Sequence, residues 1–343
     1  MARNKKKTTL RPALQILCAI LGVVFAVLLA GTLYAERLLG SMNFEGNGFR
    51  EQLTLEQAID FFLEQTEPED AQPGGSGLTG ADVELEKAET LLPQAEHVVN
   101  ILLIGADYQS GDRARSDSMI LCTFDQKKGT ITLTSFLRDL YVQIPGYYKN
   151  RINASYAIGG MKLLEETLAY NFGLTLDGMV EVDFSGFERV IDLLGGVEME
   201  LSRAEADFIN VKNGDSLTAG RRKLTGAQAL WYSRFRGDSS GDFGRTNRQR
   251  TLLTALASGY RDAGVKELLN LAEEILPMIT TDMKKREILS LASDLFPMLS
   301  RAEIVTQRIP AEGGYYMTRI DGMSVLVPDV EFNIRILEDT VAG

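Results

Sequence analysis

The pattern of hydrophobic and polar positions begins with one long apolar run. Residues 13–34 hold 22 consecutive positions without a charged side chain, and roughly 20 apolar residues suffice to cross the hydrocarbon core of a bilayer. We therefore predict a transmembrane helix over 13–34. A cleaved signal peptide is the alternative, but the run exceeds the usual apolar region of such peptides and no A-x-A-like cleavage site follows it.

Charges before this run predict its orientation. The tail 1–12 contains five basic residues: Arg3, Lys5, Lys6, Lys7 and Arg11. Because short basic segments stay on the cytoplasmic side of a membrane, we expect a cytoplasmic N-terminus. The chain is then a single-pass protein of the cell membrane, and the part after residue 34 is extracytoplasmic.

Two further patterns lie between 35 and 95. Over 52–65, apolar residues recur at helical spacing behind a capping box of Thr54 and Gln57, which predicts a short amphipathic helix. The stretch 66–82 is rich in glycine, proline and acidic residues, as is typical of a flexible spacer. We therefore predict an extracytoplasmic linker over 35–95 and a folded body over 96–343.

Within 96–343, short apolar runs alternate with helical patterns. We predict strands at 98–104, 118–124 and 130–136, and the polar segment that ends at Gly129 suits a hairpin between the last two. Helix-like and strand-like stretches alternate after them. This order is typical of an α/β fold, and we predict an α/β/α layered body with a mixed central sheet, preceded by one transmembrane helix.

Composition then narrows the classes of function. The 343 residues carry a net charge of −11, which disfavours a nucleic acid partner unless basic residues cluster. The two cysteines, Cys18 and Cys122, both lie in apolar or strand-like runs and offer no disulfide framework. Because His97 is the single histidine, acid and base chemistry falls to carboxylates.

Charged residues mark the ends of the first three predicted strands of the body. In an antiparallel meander, the end of the first strand, the start of the second and the end of the third share one sheet edge. We therefore expect these side chains to converge: Asp107, Arg115, Asp117, Arg138 and Asp139. Paired carboxylates beside a phosphate suit Mg²⁺, and arginine forks bind phosphate oxygens. Surface salt bridges in a charged loop are the alternative.

A second charged group lies within 221–250, where eight arginines and lysines outnumber two aspartates. Such a local excess of positive charge attracts anions. We predict a helix with Asp242 at its N-cap and with Arg245, Arg248 and Gln249 on one face. The helix N-terminus also favours an anion. The alternative role for Asp242 is that of a helix cap only.

Five blocks of the sequence resemble, in order, the motifs of the LytR-CpsA-Psr family: NILLIGAD (100–107), RSDSMIL (115–121), TSFLRDLYVQIPGYYKNRINASYAIGG (134–160), VEVDFSGFERVIDLLGGVE (180–198) and LTGAQALWYSRFRGDSSGDFGRTNRQR (224–250). They cover roughly 98–260, and long motifs in the correct order are more specific than one short pattern. The resemblance implies an α/β/α fold whose core holds a lipid chain. It also implies a phosphotransferase that moves wall teichoic acid, capsular polysaccharide or a similar glycopolymer from polyprenyl pyrophosphate to peptidoglycan.

The resemblance further implies roles for individual residues. Asp107 and Asp117 match Mg²⁺ ligands, acting directly or through water. Asp242 matches a carboxylate that assists catalysis, and Asp139 follows an arginine that contacts pyrophosphate. Positions around the pyrophosphate are matched by Arg115, Arg138, Arg234, Arg236, Arg245, Arg248 and Gln249.

Two positions depart from the family pattern: Leu137 stands where proline is usual, and Arg151 stands where lysine is frequent. Neither change removes a charge that the chemistry needs. We expect an acceptor hydroxyl to attack the phosphorus next to the polymer, with Asp242 or Asp139 accepting its proton. Two alternatives stay open: a regulatory module that binds polyprenyl phosphates without chemistry, and a lipid pyrophosphatase.

Overall fold

The computed structural model describes these parts of the chain: 39–44, 54, 57, 78–107, 115–238, 241–259, 274–299 and 302–343. The predicted transmembrane segment 13–34 and most of the amphipathic stretch 52–65 lie outside the described residues. The predicted capping box does form, because Gln57 Oε1 accepts a hydrogen bond from the Thr54 backbone N–H at 2.9 Å. No helix in the described ranges is both long and apolar enough to span a membrane.

The strands and helices of the described residues follow one another along the body. The strands are β1 Asn43–Phe44, β2 Val98–Asp107, β3 Arg115–Asp125, β4 Thr130–Phe136, β5 Tyr141–Gln143, β6 Lys149–Arg151, β7 Gly178–Asp183, β8 Val197–Leu201, β9 Gly220–Leu224, β10 Ile279–Thr281, β11 Glu303–Ile309, β12 Tyr315–Ile320 and β13 Met323–Pro328. The helices are α1 Asn153–Phe172, α2 Phe184–Leu193, α3 Arg203–Asn213, α4 Gly226–Arg234, α5 Gly241–Gly259, α6 Lys285–Leu299 and α7 Val330–Val341.

A mixed sheet forms the centre of the body, with the strand order β1-β10-β7-β2-β3-β4-β11. β2, β3 and β4 form an antiparallel meander, while β7 pairs in parallel with β2 and β11 in parallel with β4. The three predicted strands are therefore confirmed. Gly129 lies in the β3–β4 turn with a φ of 67°, a conformation that glycine adopts without a steric cost. The mixed α/β fold is confirmed as well.

Helices cover both faces of this sheet. Leu102 and Leu121 pack in one core cluster with residues of α1 and α7. Ile101 and Ile120 point to the other face, where the core includes Leu252 of α5 together with residues of α2, α3, α4 and α6. Burial on both faces explains why the strands read as continuous apolar runs rather than as alternating ones.

Folded structure begins before 96, the predicted start of the body. Val83 is buried, and its backbone carbonyl accepts a hydrogen bond from Lys149 Nζ at 2.5 Å. The backbone N–H of Leu92 donates to the Gly173 carbonyl at 2.7 Å. Residues 78–95 are thus held to the body by hydrogen bonds and by the packing of apolar side chains such as Val83 and Leu92. Further upstream, β1 pairs in parallel with β10.

Candidate functional site

The predicted meeting of three strand ends is present in the structure. β2 ends at Asp107, which pairs with Arg115 at the start of β3. β4 ends at Phe136, which pairs with Met119 of β3. Arg138 follows β4 by two residues, so the charged positions share one edge of the sheet.

A β-bulge directs Asp117 toward this edge. The register of β2 and β3 shifts between Gly105 and Ala106, opposite Asp117. Bulges re-aim side chains next to functional sites. The Asp117 carboxylate accepts a hydrogen bond from Arg138 Nη1 at 2.8 Å and lies 3.6 Å from Arg245 Nη1. The sequence pattern gave no sign of this bulge.

Helix α5 brings the second charged group to the same place. Arg245 Nη2 donates to Asp242 Oδ2 at 2.9 Å. Asp242 Oδ1 lies 3.5 Å from Arg236 Nε and 3.7 Å from Arg138 Nε. α5 begins at Gly241, so Asp242 lies in its first turn and not at the predicted N-cap position. Its carboxylate therefore faces arginines.

Arg151 completes the group, although the sequence marked it only as a departure from the family pattern. Its Nε lies 3.4 Å from Asp139 Oδ1, and Arg138 Nε lies 3.7 Å from the same oxygen. An arginine at position 151 therefore supplies the positive charge that a lysine would supply there. We refer to the whole group as the arginine–aspartate cluster, which consists of Asp117, Arg138, Asp139, Arg151, Arg236, Asp242 and Arg245.

Burial and mutual repulsion make the positive charges of this cluster costly, because its four arginines outnumber its three aspartates. Arg245 is 2% exposed, and burial lowers the pKa of its guanidinium even though Asp242 opposes the change. Burial, together with Arg245 and Arg138, lowers the pKa of Arg236 to about 10. Burial tends to raise the pKa of Asp117, but Arg138 and Arg245 outweigh it and hold that pKa below its usual value. An anion bound here would relieve the repulsion among the guanidiniums.

Several buried polar atoms of the cluster lack a hydrogen bond: Arg138 Nε, Asp139 Oδ1, Asp242 Oδ1 and Arg245 Nε. Leaving such atoms unsatisfied is costly, and native proteins show few of them. The arginine N–H groups are donors for phosphate oxygens. The carboxylate oxygens can accept a hydroxyl proton or ligate a hard cation.

An apolar cavity of about 150 Å³ lies beside the cluster, between the sheet and helices α2, α4 and α5. Ser118, the neighbour of Asp117, and Gln249, one turn beyond Arg245, form part of its wall. Gln249 Oε1 is buried without a hydrogen bond. Most of the wall is apolar, with residues such as Leu103, Ile120, Val180, Phe187, Leu252 and Ile279. The cavity thus suits an apolar chain with an anionic head.

Arg234 stacks on a residue of the cavity wall. Its guanidinium stacks over the ring of Phe184 at 4.7 Å and over that of Trp231 at 5.5 Å. Phe184 itself lines the cavity. Cation–π stacking on these two rings fixes the position of the guanidinium beside the cavity.

Arg248 contacts residues that hold neighbouring elements of the fold together. Its Nε donates to Glu205 Oε1 at 2.6 Å, it pairs with Asp238, and it stacks over the Phe235 ring at 4.7 Å. Glu205 also accepts hydrogen bonds from Ser202 at the start of α3. Arg248 therefore braces α5 against α3. The helical spacing that grouped it with Arg245 could not reveal these partners.

The LytR_cpsA_psr family model matches residues 75–337. The chain belongs to this family. Among curated relatives of this LytR-CpsA-Psr protein, the regulatory protein MsrR of Staphylococcus aureus strain Mu50 is 40% identical over 160 residues, 46% of this chain and 48% of MsrR. The teichoic acid transferase TagU of Oceanobacillus iheyensis is 32% identical over 211 residues, 60% of this chain and 63% of TagU. The chain thus spans about half the length of MsrR and less than two thirds of TagU.

A solved structure shares the fold of this LytR-CpsA-Psr chain. YwtF (TagT) with bound octaprenyl pyrophosphate lipid superposes with a TM-score of 0.57 at 23% identity, covering 76% of this chain and 100% of that one.

The metal ligands predicted for this LytR-CpsA-Psr protein are described in part. The Asp117 carboxylate belongs to the cluster, while only the backbone of Asp107 lies within the described residues. In the described ranges, no group of three or more histidine, cysteine, aspartate or glutamate residues is arranged to hold a metal ion.

Proposed function

We propose that this chain is a phosphotransferase that moves an anionic glycopolymer from a polyprenyl pyrophosphate carrier to peptidoglycan. The observation that carries the proposal is the adjacency of an apolar cavity and a buried arginine–aspartate cluster. A lipid pyrophosphate has the same two parts, an apolar chain and an anionic head. The pyrophosphate lipid bound to TagT and the teichoic acid transferase name of TagU support the proposal.

The arginines hold the pyrophosphate. Arg138 and Arg245 each have a buried Nε without a hydrogen bond, and phosphate oxygens supply the missing acceptors. Arg236 and Arg151 add positive charge from the same cluster, and Arg115 and Arg234 add it from the sheet edge and from beside the cavity. The first isoprene units of the lipid occupy the apolar cavity.

Transfer requires one displacement at phosphorus. The acceptor hydroxyl oxygen forms a bond to the phosphorus next to the polymer. The bond from that phosphorus to the bridging oxygen breaks, and its electron pair leaves with polyprenyl phosphate. Asp242 or Asp139 accepts the hydroxyl proton, since each has a buried Oδ1 without a hydrogen bond. The guanidiniums stabilise the charge that develops on the phosphate oxygens.

Magnesium is part of this proposal. Asp117 and Asp107 would hold the ion, because two carboxylates at one sheet edge leave coordination positions for phosphate oxygens. The carboxylate of Asp117 is a hard oxygen donor of the kind that Mg²⁺ prefers. When bound, the ion would stabilise negative charge on the phosphates.

A regulatory module that binds polyprenyl phosphates is the second candidate, favoured by the name of the relative MsrR. Such a module needs arginines and an apolar cavity but gains nothing from carboxylates beside a bound anion. The cluster contains three of them: Asp117, Asp139 and Asp242. Carboxylates at an anion site weaken binding, so their presence favours chemistry.

We also propose that residues 13–34 anchor the chain in the cell membrane with the body outside. A reporter fused after Gly343 should then be cleaved by external protease in intact wall-free cells. Protection of the reporter from that protease would contradict this topology.

The test of the activity uses the full-length chain in detergent with lipid-linked polymer, peptidoglycan fragments and Mg²⁺. We expect mass analysis to find a polymer joined to the peptidoglycan fragment through a phosphodiester. Release of polymer phosphate at the same rate with and without the fragments would instead indicate a pyrophosphatase. Binding of the lipid without any product would indicate the regulatory module.

A further inference from the structure

Arg250 is a buried arginine of α5 outside the arginine–aspartate cluster. It is 8% exposed, its Nε and Nη1 lack hydrogen-bond partners, and its Nη2 reaches Asn247 Oδ1 only at 3.5 Å. Burial, together with the nearby Arg308, lowers the pKa of its guanidinium to about 10. Buried donors without acceptors are costly. A ligand with acceptor oxygens would satisfy them.

Arg308 lies on β11 and approaches the same side of α5. Its guanidinium lies over the Phe243 ring at 4.5 Å. Phe243 and Arg250 are seven residues apart on the helix, which places them on one face. Glu312 lies 3.2 Å from Arg308, but its side chain is 94% exposed, so this pair is weak. Arg250 and Arg308 thus approach each other, and the contacts described for them include no buried carboxylate.

The Arg250–Arg308 pair lies on the same face of the sheet as the apolar cavity. Ile120, Ser135 and Arg308 are register partners across β3, β4 and β11 and therefore form one row. Ile120 lines the cavity, and Ser135 Oγ is buried without a hydrogen bond. The cavity and the arginine pair thus stand at opposite ends of this row.

The arginine–aspartate cluster lies at the sheet edge above the same row. Arg138 follows Ser135, the register partner of Arg308, by three residues and lies just beyond the end of β4 at Phe136. Along the strand order from β7 to β11, the molecule therefore presents an apolar cavity, then the cluster, then the Arg250–Arg308 pair.

We propose that Arg250 and Arg308 bind a phosphate group of the glycopolymer, beside the site that holds the pyrophosphate. This inference rests on the proposed function, since the order of cavity, cluster and arginine pair matches the order of lipid, pyrophosphate and polymer in the substrate. Phosphate oxygens accept hydrogen bonds from the buried Nε and Nη1 of Arg250 and separate the two guanidiniums. The pair thereby selects polymers that carry an anionic group near the reacting end.

The first arm of the test uses inorganic phosphate and the full-length chain in detergent. We expect Arg250→Gln and Arg308→Gln each to reduce the thermal stabilisation by phosphate, while Arg335→Gln, an exposed arginine of α7, responds as the wild type does. Arg250→Met should melt above the wild type without phosphate, because it removes a buried unpaired charge. Equal phosphate responses in all these proteins would overturn the assignment.

The second arm distinguishes polymer phosphate from free phosphate. We expect Arg308→Gln, whose side chain is only partly buried, to weaken binding of lipid-linked polymer containing phosphodiesters by about tenfold or more. Binding of polyprenyl pyrophosphate without polymer should stay at the wild-type level. Equal losses for both lipids would overturn the polymer assignment. If polyprenyl pyrophosphate does not bind the wild type, the proposed function fails, while the first arm still decides whether the pair binds phosphate.

Discussion

The guanidinium of Arg245 lies 2.9 Å from the carboxylate of Asp242, one turn earlier on α5, and is almost wholly buried there. The same guanidinium lies 3.6 Å from Asp117 on the bulge of β3. Arg245 therefore connects the first turn of the helix to the edge of the sheet, and it joins two carboxylates that the chain separates by more than a hundred residues.

Replacement of Arg245 should harm both stability and binding. Arg245→Met keeps much of the side-chain volume but removes the most deeply buried guanidinium that faces Asp117 and Asp242. We expect the free energy of unfolding to fall by about 3 kcal/mol and the affinity for polyprenyl pyrophosphate to fall at least tenfold. Urea unfolding and lipid titration measure the two effects. A variant with wild-type affinity would exclude Arg245 from the anion site.

Asp242→Asn should separate binding from chemistry. It removes a negative charge beside the bound anion, so lipid pyrophosphate should bind at least as tightly as to the wild type. Turnover should fall by roughly 10² or more if Asp242 accepts the proton. Asp329→Asn is a matched control, because Asp329 accepts a hydrogen bond from Phe332 N–H at the start of α7, away from the cluster. If Asp242→Asn turned over at the wild-type rate, Asp242 would not be the base, and Asp139 would be the residue to test.

The cavity should discriminate between lipids by length. Val190→Trp places a large ring in the cavity wall, so we expect weaker binding of long polyprenyl pyrophosphates with little change for geranyl pyrophosphate. Val211→Trp is the control, because Val211 is 82% exposed on α3. Comparable losses for both lipid lengths in Val190→Trp would indicate general misfolding of the site rather than a blocked cavity.

The contact between Glu205 and Arg248 should make the free energy of unfolding depend on pH in the acid range. Burial tends to raise the pKa of Glu205, but hydrogen bonds from Arg248 and Ser202 outweigh burial and hold the pKa below its usual value. A carboxyl whose pKa is lowered by folding stabilises the fold above its unfolded pKa, and this contribution is lost as the pH falls through the folded value. Glu205→Gln should therefore lower the unfolding free energy by roughly 1.5–3 kcal/mol near neutral pH.

The difference in unfolding free energy between Glu205→Gln and the wild type should become smaller as the pH is lowered below about 4. Glu331→Gln is the control, since Glu331 pairs with Arg335 on the exposed surface of α7, and it should change stability by no more than a few tenths of a kcal/mol. Urea unfolding at several pH values measures both variants. A difference that stays constant down to pH 3 would contradict the role of the ionised carboxylate.

The sequence was sufficient for those parts of the site that depend on local patterns. Strand ends at Asp107, Asp117 and Arg138 were expected to meet, and the antiparallel meander brings them to one edge. The prediction succeeded because alternation of short apolar runs with a glycine hairpin constrains three consecutive strands strongly.

The parts of the site that the sequence did not predict depend on contacts between residues that are far apart in the chain. Arg248 was grouped with Arg245 by helical spacing, yet its partner Glu205 comes from a different helix 43 residues earlier. The approach of Arg308 to Arg250 depends on the parallel pairing of β11 with β4, for which no local signal exists. Residues 78–95 were assigned to the linker because their few apolar residues, such as Val83 and Leu92, form no helical or strand-like period, although they pack against the body.

Identification of the lipid product tests the central claim most directly. The full-length chain would be incubated with lipid-linked polymer, peptidoglycan fragments and Mg²⁺, and the released lipid would be analysed by mass spectrometry. Attack at the phosphorus next to the polymer predicts one polyprenyl monophosphate for each polymer–peptidoglycan conjugate. Release of polyprenyl pyrophosphate would mean that the polymer leaves through its sugar carbon. Monophosphate that forms without conjugate would mean hydrolysis, and either result would contradict phosphotransfer.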